Sequence, residues 1–290
     1  MAFPLAASSA SAESLRAAVS ALAPITPPPV ELKLDPFYRK YLSPGGMPIV
    51  SSEKVNDYAL REAAFIVDRL LEHRPDVRRA MVRNGSRVTV MAHNEFTADV
   101  PEHSRLKPAE FWNKRARGLG GTRRCPVTSC GEENLLNFVG DPYKTENILI
   151  HEFAHSMQNL GLEEADKTFR SRLDKAYQAA RAAGKWKDTY AGESLGEYWA
   201  EGVQSWFDTN RSRDRIHNGI DTREKLLAYD PPLAELLAEA FGKDAWRYRK
   251  IADRPPRPAP PLGRLRPRRR PALRLAGQAA GAAEQGPLCG

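Results

Sequence analysis

The sequence predicts an α+β fold that is mostly helical and contains a small sheet. Three observations support this prediction: apolar residues recur every three or four positions in several segments, a run rich in valine and threonine occupies residues 87–91, and 41% of the chain is hydrophobic. A chain of 290 residues can bury a substantial core. Only three cysteines are present, which excludes a small disulfide-stapled scaffold. No run approaches the roughly 18 consecutive apolar residues of a membrane helix, so we expect no membrane span.

Proline and charge divide the chain into three predicted parts. Residues 1–30 are predicted to be a flexible segment that ends in a proline-rich linker, and they resemble a secretion signal only weakly. Residues 31–250 are predicted to form the folded domain. Residues 251–290 hold eight of the 23 prolines and +6 of the net charge of +8, without an aromatic residue, which predicts a disordered tail. This composition favours a solvated tail over nucleic-acid contact, although that alternative stays open.

The first part of the domain is predicted to contain two helices followed by a strand. Ser51 and Ser52 can cap a helix whose apolar residues recur at helical spacing to about His73. Pro75 can begin a second, shorter helix, since proline is tolerated in the first turn. A turn then leads into a predicted strand over residues 87–91.

Residues 94–130 show no regular pattern and are predicted to be irregular, with a second strand over residues 134–139. Cys125 and Cys130 lie in this segment. They can close a small disulfide loop if the protein is exported, or remain as two reduced thiols, and both alternatives stay open. A zinc site made of four cysteines is excluded, because the chain has only three.

The motif His-Glu-x-x-His lies on a helix that is predicted to begin after Thr145 and to end at Gly161. A spacing of four puts His151 and His155 one turn apart on the same face, where one tetrahedral metal ion can bind a nitrogen of each. Glu152 then projects beside the ion, where its carboxylate can take a proton from water. The motif therefore predicts a catalytic zinc site.

A catalytic zinc site needs a third protein ligand and one open position. His217 is the only later histidine, and it lies in a polar segment. The helix predicted over residues 195–208 offers a better candidate, because Glu193, Glu197 and Glu201 follow one another at intervals of four. Stacked carboxylates repel one another, so a bound cation would stabilise them. The aromatic residues of this helix predict that it packs inside the domain rather than presenting a solvated acidic face.

These motifs resemble those of the gluzincin metallopeptidases, and within them the group of the anthrax lethal factor catalytic domain and the secreted Pro-Pro endopeptidases. The resemblance depends on His-Glu-Phe-Ala-His at residues 151–155, on Glu-Tyr-Trp-Ala-Glu at residues 197–201, and on Tyr190, seven positions before Glu197. It implies that residues 31–250 form a zincin-like metallopeptidase domain. It also implies a secreted or periplasmic protein.

The resemblance further implies a role for each motif residue. One Zn²⁺ per chain would be bound by three residues, which are His151, His155 and Glu197. Glu152 would be the general base, and Tyr190 would donate a hydrogen bond to the oxyanion that forms on the substrate. Glu201 would orient a zinc-bound histidine through its free ring nitrogen.

We therefore expect a zinc-dependent endopeptidase that hydrolyses peptide bonds in a peptide or protein substrate. The alternatives are a zinc-stabilised binding module without hydrolysis, and nucleic-acid contact through the basic tail. An extended substrate is expected to add to an exposed strand edge, for which residues 88–91 are the candidate. Glu132 and Glu133 are interpreted as part of a solvated turn, although both can also line the cleft. His93 and His103 are interpreted as loop histidines rather than ligands.

Overall fold

The computed structural model describes residues 23–254. They form an α+β fold in which about half of the residues are helical and which contains one five-stranded sheet. The strands are β1 (Lys40–Leu42), β2 (Ile49–Ser51), β3 (Arg87–Met91), β4 (Gly118–Leu119) and β5 (Val127–Gly131). The helices are α1 (Asp57–Leu71), α2 (Pro75–Arg83), α3 (Ala109–Arg115), α4 (Glu132–Leu135), α5 (Ile148–Met157), α6 (Glu163–Ala165), α7 (Phe169–Ala182), α8 (Leu195–Trp206), α9 (Arg223–Tyr229) and α10 (Pro231–Phe241). The predicted fold class is confirmed at this level.

The sheet has the strand order β1-β2-β3-β5-β4. Strands β2, β3 and β5 are parallel to one another, whereas β1 and β4 pair antiparallel at the two edges. The strand predicted over residues 87–91 is confirmed as β3. The prediction that residues 88–91 form an exposed edge is wrong, because β2 and β5 flank β3 on both sides and all four residues are buried. The edge strand that reaches the helix with the histidine motif is β4.

Two buried helices, α5 and α8, pack against each other next to the sheet. The indole of Trp199 on α8 donates to the carbonyl oxygen of Ala154 on α5 at 3.0 Å, and its ring stacks on Phe241. Trp199 is fully buried. The helix predicted over residues 195–208 is thus confirmed, with its end at Trp206, and it does pack inside the domain. The close contact of α5 and α8 brings their two motifs together.

The first predicted helix is correct in its body but wrong at its start. It begins after Asn56, whose side chain accepts a hydrogen bond from the backbone nitrogen of Tyr58 at 3.0 Å. Ser51 instead ends strand β2, and Ser52 follows it. The short second helix is confirmed, since α2 begins at Pro75.

The strand predicted over residues 134–139 is wrong, because the strand lies earlier in the chain, at β5, and α4 follows it directly. Asn134 explains the difference. Its buried amide nitrogen donates to the carbonyl oxygens of Tyr143 and Glu146, and its amide oxygen accepts from the backbone nitrogen of Ile148. These bonds tie α4 to the start of α5. Residues 94–130 are also more regular than predicted, since they contain α3, β4 and part of β5.

The remaining predictions on the chain's organisation have mixed outcomes. Cys130 is a free, buried thiol, so the disulfide between Cys125 and Cys130 does not form. The predicted flexible N-terminal segment and the basic tail fall largely outside the described residues 23–254. Within that range, no helix has both the length and the apolar character that crossing a membrane requires.

Candidate metal centre

Helix α5 places the histidine motif in the buried interior of the domain. It begins after Asn147, not after the predicted Thr145, because the Asn147 side chain accepts a hydrogen bond from the backbone nitrogen of Ile150 at 2.9 Å. The predicted stop at Gly161 is also wrong, since the chain continues through a π-helical turn over Gln158–Leu162. A Cβ at Gly161 would lie 2.6 Å from a methyl carbon of Val77, so glycine there permits α2 to pack closely.

Three potential ligand atoms converge between α5 and α8. The Nε2 atoms of His151 and His155 lie 3.2 Å apart. Glu197 Oε2 lies 3.1 Å from His151 Nε2 and 3.5 Å from His155 Nε2. Ligand atoms bound to one tetrahedral zinc ion at about 2.0–2.2 Å lie about 3.3–3.6 Å apart. The three residues that the sequence predicted as zinc ligands therefore come within about 0.2 Å of the spacing of one face of such a tetrahedron.

Helix α8 begins at a position from which the Glu197 side chain reaches the two histidines. The side-chain oxygen of Ser194 accepts from the backbone nitrogen of Glu197 at 3.2 Å, which caps the helix. A Cβ at Gly196 would lie 3.4 Å from His155 Nδ1, an ordinary contact distance, so the first turn of the helix lies directly beside this ring. Glu193 is exposed and lies before the helix. Of the three glutamates at intervals of four, Glu197 is the one that completes the cluster.

Charge interactions within the cluster shift the pKa values of its members. Burial alone would raise the pKa of Glu197, but His155 and His151 lower it well below its usual range. Burial alone would lower the pKa of His151, but its hydrogen bond to Glu197 and the nearby carboxylates raise it well above its usual value. The Glu197 carboxylate therefore stays ionised beside the two imidazole rings.

Glu152 lies beside the cluster on the same helix and is half-buried. Within the part of the chain that the structure describes, its carboxylate has no hydrogen-bond partner. Burial raises its pKa, although His151 and His155 act in the opposite direction. A desolvated carboxylate without a fixed partner can accept a proton from a reacting group.

Tyr190 lies next to His151. It belongs to a short 3₁₀ turn, Tyr190–Gly192, and its backbone nitrogen donates to the carbonyl oxygen of Ile216 at 2.8 Å. Its ring stacks on the His151 ring with centroids 6.0 Å apart and an interplanar angle of 18°. Burial, followed by the charges of Glu197 and Glu152, raises the pKa of the phenol. Tyr190 therefore stays protonated and can act as a hydrogen-bond donor.

Glu201 lies one turn after Glu197 and is buried. Its Oε1 lies 3.5 Å from His151 Nδ1, and its Oε2 lies 3.5 Å from His217 Nε2 and accepts from Asn210 at 3.1 Å. Sequence analysis placed His217 only in a polar segment, whereas the structure buries it behind the cluster.

Gln204 is a residue that sequence analysis missed. Its side-chain oxygen lies 2.8 Å from His151 Nδ1, closer than that of Glu201. A usable signal was available, because Gln204 lies three residues after Glu201 and seven after Glu197, which puts all three on one face of the helix.

The other candidate residues lie away from the cluster. Glu133 is buried and pairs with Arg117, and Glu132 is buried and accepts from the backbone nitrogen of Asn56 at 2.8 Å and pairs with His93 at 2.9 Å. The interpretation of both glutamates as a solvated turn is therefore wrong, and burial raises the pKa of Glu132 to about 7. His103 is buried, with its Nε2 3.2 Å from the hydroxyl of Ser129.

A second group of potential ligands lies near the surface of the described region. It consists of Glu72, His73 and Asp244, the last two of which are exposed. Arg69 donates to Glu72 at 2.7 Å, so a cation of the protein already neutralises this carboxylate. The group around His151 differs because it is deeper and has Glu152 beside it.

The segment around strand β4 passes unusually close to α5. A Cβ at Gly120 would lie 2.5 Å from the Cβ of His155, and a Cβ at Gly118 would lie 2.9 Å from Cγ of Glu152. The backbone nitrogen of Gly121 donates to Ser156 on α5 at 2.7 Å. The glycines thus allow an edge strand to lie directly beside the candidate site.

We expect Gly120→Ala to disturb the candidate metal centre. The added methyl group must displace either the strand or His155, at a cost of about 1–3 kcal/mol in the free energy of unfolding. Zinc affinity should fall together with stability, and thermal unfolding and metal titration measure the two effects. Lys114→Ala, an exposed change on the preceding helix, should leave both unchanged. A Gly120→Ala protein with wild-type stability and zinc affinity would show that the segment tolerates a side chain.

Comparisons of the chain with protein-family models, with curated proteins and with solved structures found no match. The chemistry of this centre must therefore be inferred from its own side chains.

Proposed function

We propose that the protein is a zinc-dependent endopeptidase with a zincin-like fold. The observation that carries this proposal is the convergence of the three ligand atoms of His151, His155 and Glu197 at 3.1–3.5 Å from one another, with Glu152 beside them. A structural metal site would use a fourth protein ligand. Here the described residues supply three, which is the number typical of a catalytic zinc site.

The donor set fits zinc. Two imidazole nitrogens and one carboxylate oxygen are common ligands of catalytic zinc ions. Zinc bound by these three atoms would supply Lewis-acid activation of the scissile carbonyl group and of the attacking water. The buried surroundings strengthen such charge interactions, because both histidines are largely shielded from solvent.

Glu152 is the group that would move the proton in this reaction. Its pKa is raised and therefore lies closer to neutral pH than the pKa of an ordinary glutamate, which makes it a stronger base. It would take a proton from the attacking water and later give it to the amine that leaves. Its lack of a hydrogen-bond partner within residues 23–254 leaves the carboxylate free for both steps.

Tyr190 would stabilise the negative charge that develops on the carbonyl oxygen. The phenol keeps its proton, because burial and the nearby carboxylates raise its pKa. It can therefore donate a hydrogen bond to an oxyanion, which is worth most where water is excluded. Its ring lies against His151, on a different element from Glu152, so acid–base and oxyanion roles fall to separate side chains.

Strand β4 is the surface on which an extended substrate would bind. It is an edge strand of the described sheet, and Gly118 lies against Glu152. A peptide that paired with this edge would run past the cluster in an extended conformation, held mainly by backbone hydrogen bonds. This placement replaces the central strand β3 that the sequence suggested.

The proposal is tested by incubating the purified protein with denatured casein and with a mixed peptide library, followed by mass spectrometry of the products. We expect cleavage that stops after metal removal by a chelator and returns when zinc is added. Tight peptide binding without any cleavage, in the zinc-loaded protein, would instead support a zinc-stabilised binding module. Cleavage that is unaffected by metal removal would contradict the proposal.

A further inference from the structure

The side of the His151 ring that faces away from the ligand cluster contacts Gln204. This glutamine is completely buried on α8. Its Oε1 lies 2.8 Å from His151 Nδ1. Its Nε2 lies 3.4 Å from Glu146 Oε2 and 3.3 Å from the carbonyl oxygen of Asn147. One amide therefore bridges the ring of His151 and the chain just before α5.

The partners of Gln204 determine which way round its amide lies. Both groups near its nitrogen, the Glu146 carboxylate and the Asn147 carbonyl, only accept hydrogen bonds. The amide nitrogen must face them, so the amide oxygen must face the histidine. Because that oxygen also only accepts, His151 Nδ1 must carry the proton. The lone pair of the neutral ring then lies on Nε2, the atom that points into the cluster.

The Glu146 carboxylate is itself held in place. Arg211 donates from its Nε to Glu146 Oε1, and both side chains are largely buried. This ion pair leaves Glu146 Oε2 for Gln204. The hydrogen bonds therefore converge on the Glu146 carboxylate, which accepts from Arg211 on one side and from the Gln204 amide nitrogen on the other. With its nitrogen fixed in this way, Gln204 turns its oxygen to His151.

Glu201 is less well placed for the same task. Its Oε1 is 3.5 Å from His151 Nδ1, against 2.8 Å for Gln204. Its Oε2 already accepts from Asn210. We propose that Gln204, rather than Glu201, is the positioning residue that selects the metal-binding tautomer of His151. This inference depends on the proposed zinc site and assigns the residue that prepares one of its ligands.

The test compares two conservative variants of neighbouring buried residues. Gln204→Met keeps the length of the side chain but removes the acceptor for Nδ1, whereas Glu201→Gln keeps an oxygen for Asn210 and removes the charge. Zinc affinity is measured by competition with a chromophoric chelator. Loss of the partner of a metal-bound histidine typically weakens binding by about 10–100-fold, which is the loss we expect for Gln204→Met. The loss for Glu201→Gln should be clearly smaller.

Two further measurements separate positioning from a general effect on folding. Gln204→Glu retains an acceptor for Nδ1 and is expected to bind zinc more tightly than Gln204→Met, even where the metal-free forms of both melt at lower temperature. The ¹⁵N spectrum of labelled histidine in the zinc-loaded wild type should show His151 protonated at Nδ1.

Three results would overturn the inference. They are wild-type zinc affinity in Gln204→Met, a larger loss in Glu201→Gln than in Gln204→Met, and equally weak binding in Gln204→Glu and Gln204→Met. In each of them the wild type still binds zinc, so the proposed function survives. A wild type that binds no zinc would overturn the proposed function and this inference together.

Discussion

Replacing Glu152 by glutamine is expected to abolish most of the hydrolysis while leaving the metal bound. The amide has nearly the shape of the carboxylate but cannot accept a proton from water at neutral pH. General acid–base catalysis by one positioned side chain contributes about 10²–10⁴-fold to a rate, and kcat should fall by a factor in this range. Zinc content should stay at the wild-type level, because the three ligand atoms belong to other residues. Peptide cleavage rates and metal analysis of the same preparation measure both effects.

The matched control for this change is Glu164→Gln, which replaces a surface glutamate shortly after the same helix. Glu164 pairs with Lys167 and Arg123 and is not part of the ligand cluster. Its variant should cleave substrate at the wild-type rate. Near-normal activity in Glu152→Gln would contradict the assignment of this residue as general base. Loss of zinc in Glu152→Gln would show that the residue supports the metal rather than the proton transfer.

Removing one ligand is expected to have the second large effect. His155→Ala and Glu197→Ala each leave two of the three converging atoms. Zinc affinity should fall by more than the roughly 10–100-fold that removal of a hydrogen-bond partner of a ligand costs. Activity should disappear with the metal. Zinc titration and metal analysis after gel filtration measure the loss in each variant.

Glu193→Ala provides the matched control, because Glu193 lies four residues before Glu197 but outside the cluster and is exposed. It should bind one zinc ion as tightly as the wild type. Stoichiometric zinc in Glu197→Ala would mean that another residue is the third ligand, and Glu201 is the nearest buried carboxylate on α8. If Glu193→Ala and Glu197→Ala lost equal zinc affinity, zinc binding would depend on the negative charge of this segment and not on Glu197 as a ligand.

The parts of the site that could be predicted from sequence are those set by helical spacing. Two histidines four residues apart must share a face of α5, and an aromatic stripe on α8 must be buried. Helical spacing offered three glutamates, at intervals of four, as candidates for the third ligand, and the resemblance to a known family selected Glu197 among them. The structure brings Glu197 to His151 and His155.

The parts that could not be predicted depend on contacts between distant segments. Strand β3 has the pattern of any buried strand, and only the pairing of β2 and β5 on its two sides shows that it is central. The sequence predicts that Glu133 is exposed to solvent, because its partner Arg117 lies sixteen residues earlier in the chain. Helical spacing puts Gln204 on the same face as Glu197 and Glu201, but its role depends on the acceptors around its amide nitrogen, which no spacing predicts.

Cap positions were misjudged for a related reason. Asn56 and Asn147 cap α1 and α5, although serine and threonine residues nearby fit the same preference. Ser51 does not cap α1, because it is the last residue of strand β2. Tertiary packing decides whether such a residue ends a strand or caps a helix. A short stretch of sequence carries no information about that packing.

The most direct test of the zinc site is an anomalous diffraction map recorded at the zinc absorption edge from crystals of the zinc-loaded protein. We expect one strong peak between α5 and α8, at about 2.0–2.2 Å from Nε2 of His151, Nε2 of His155 and a carboxylate oxygen of Glu197. A map without a peak at this position would contradict the zinc site and, with it, the proposed peptidase. A peak only at Glu72, His73 and Asp244 would contradict it equally.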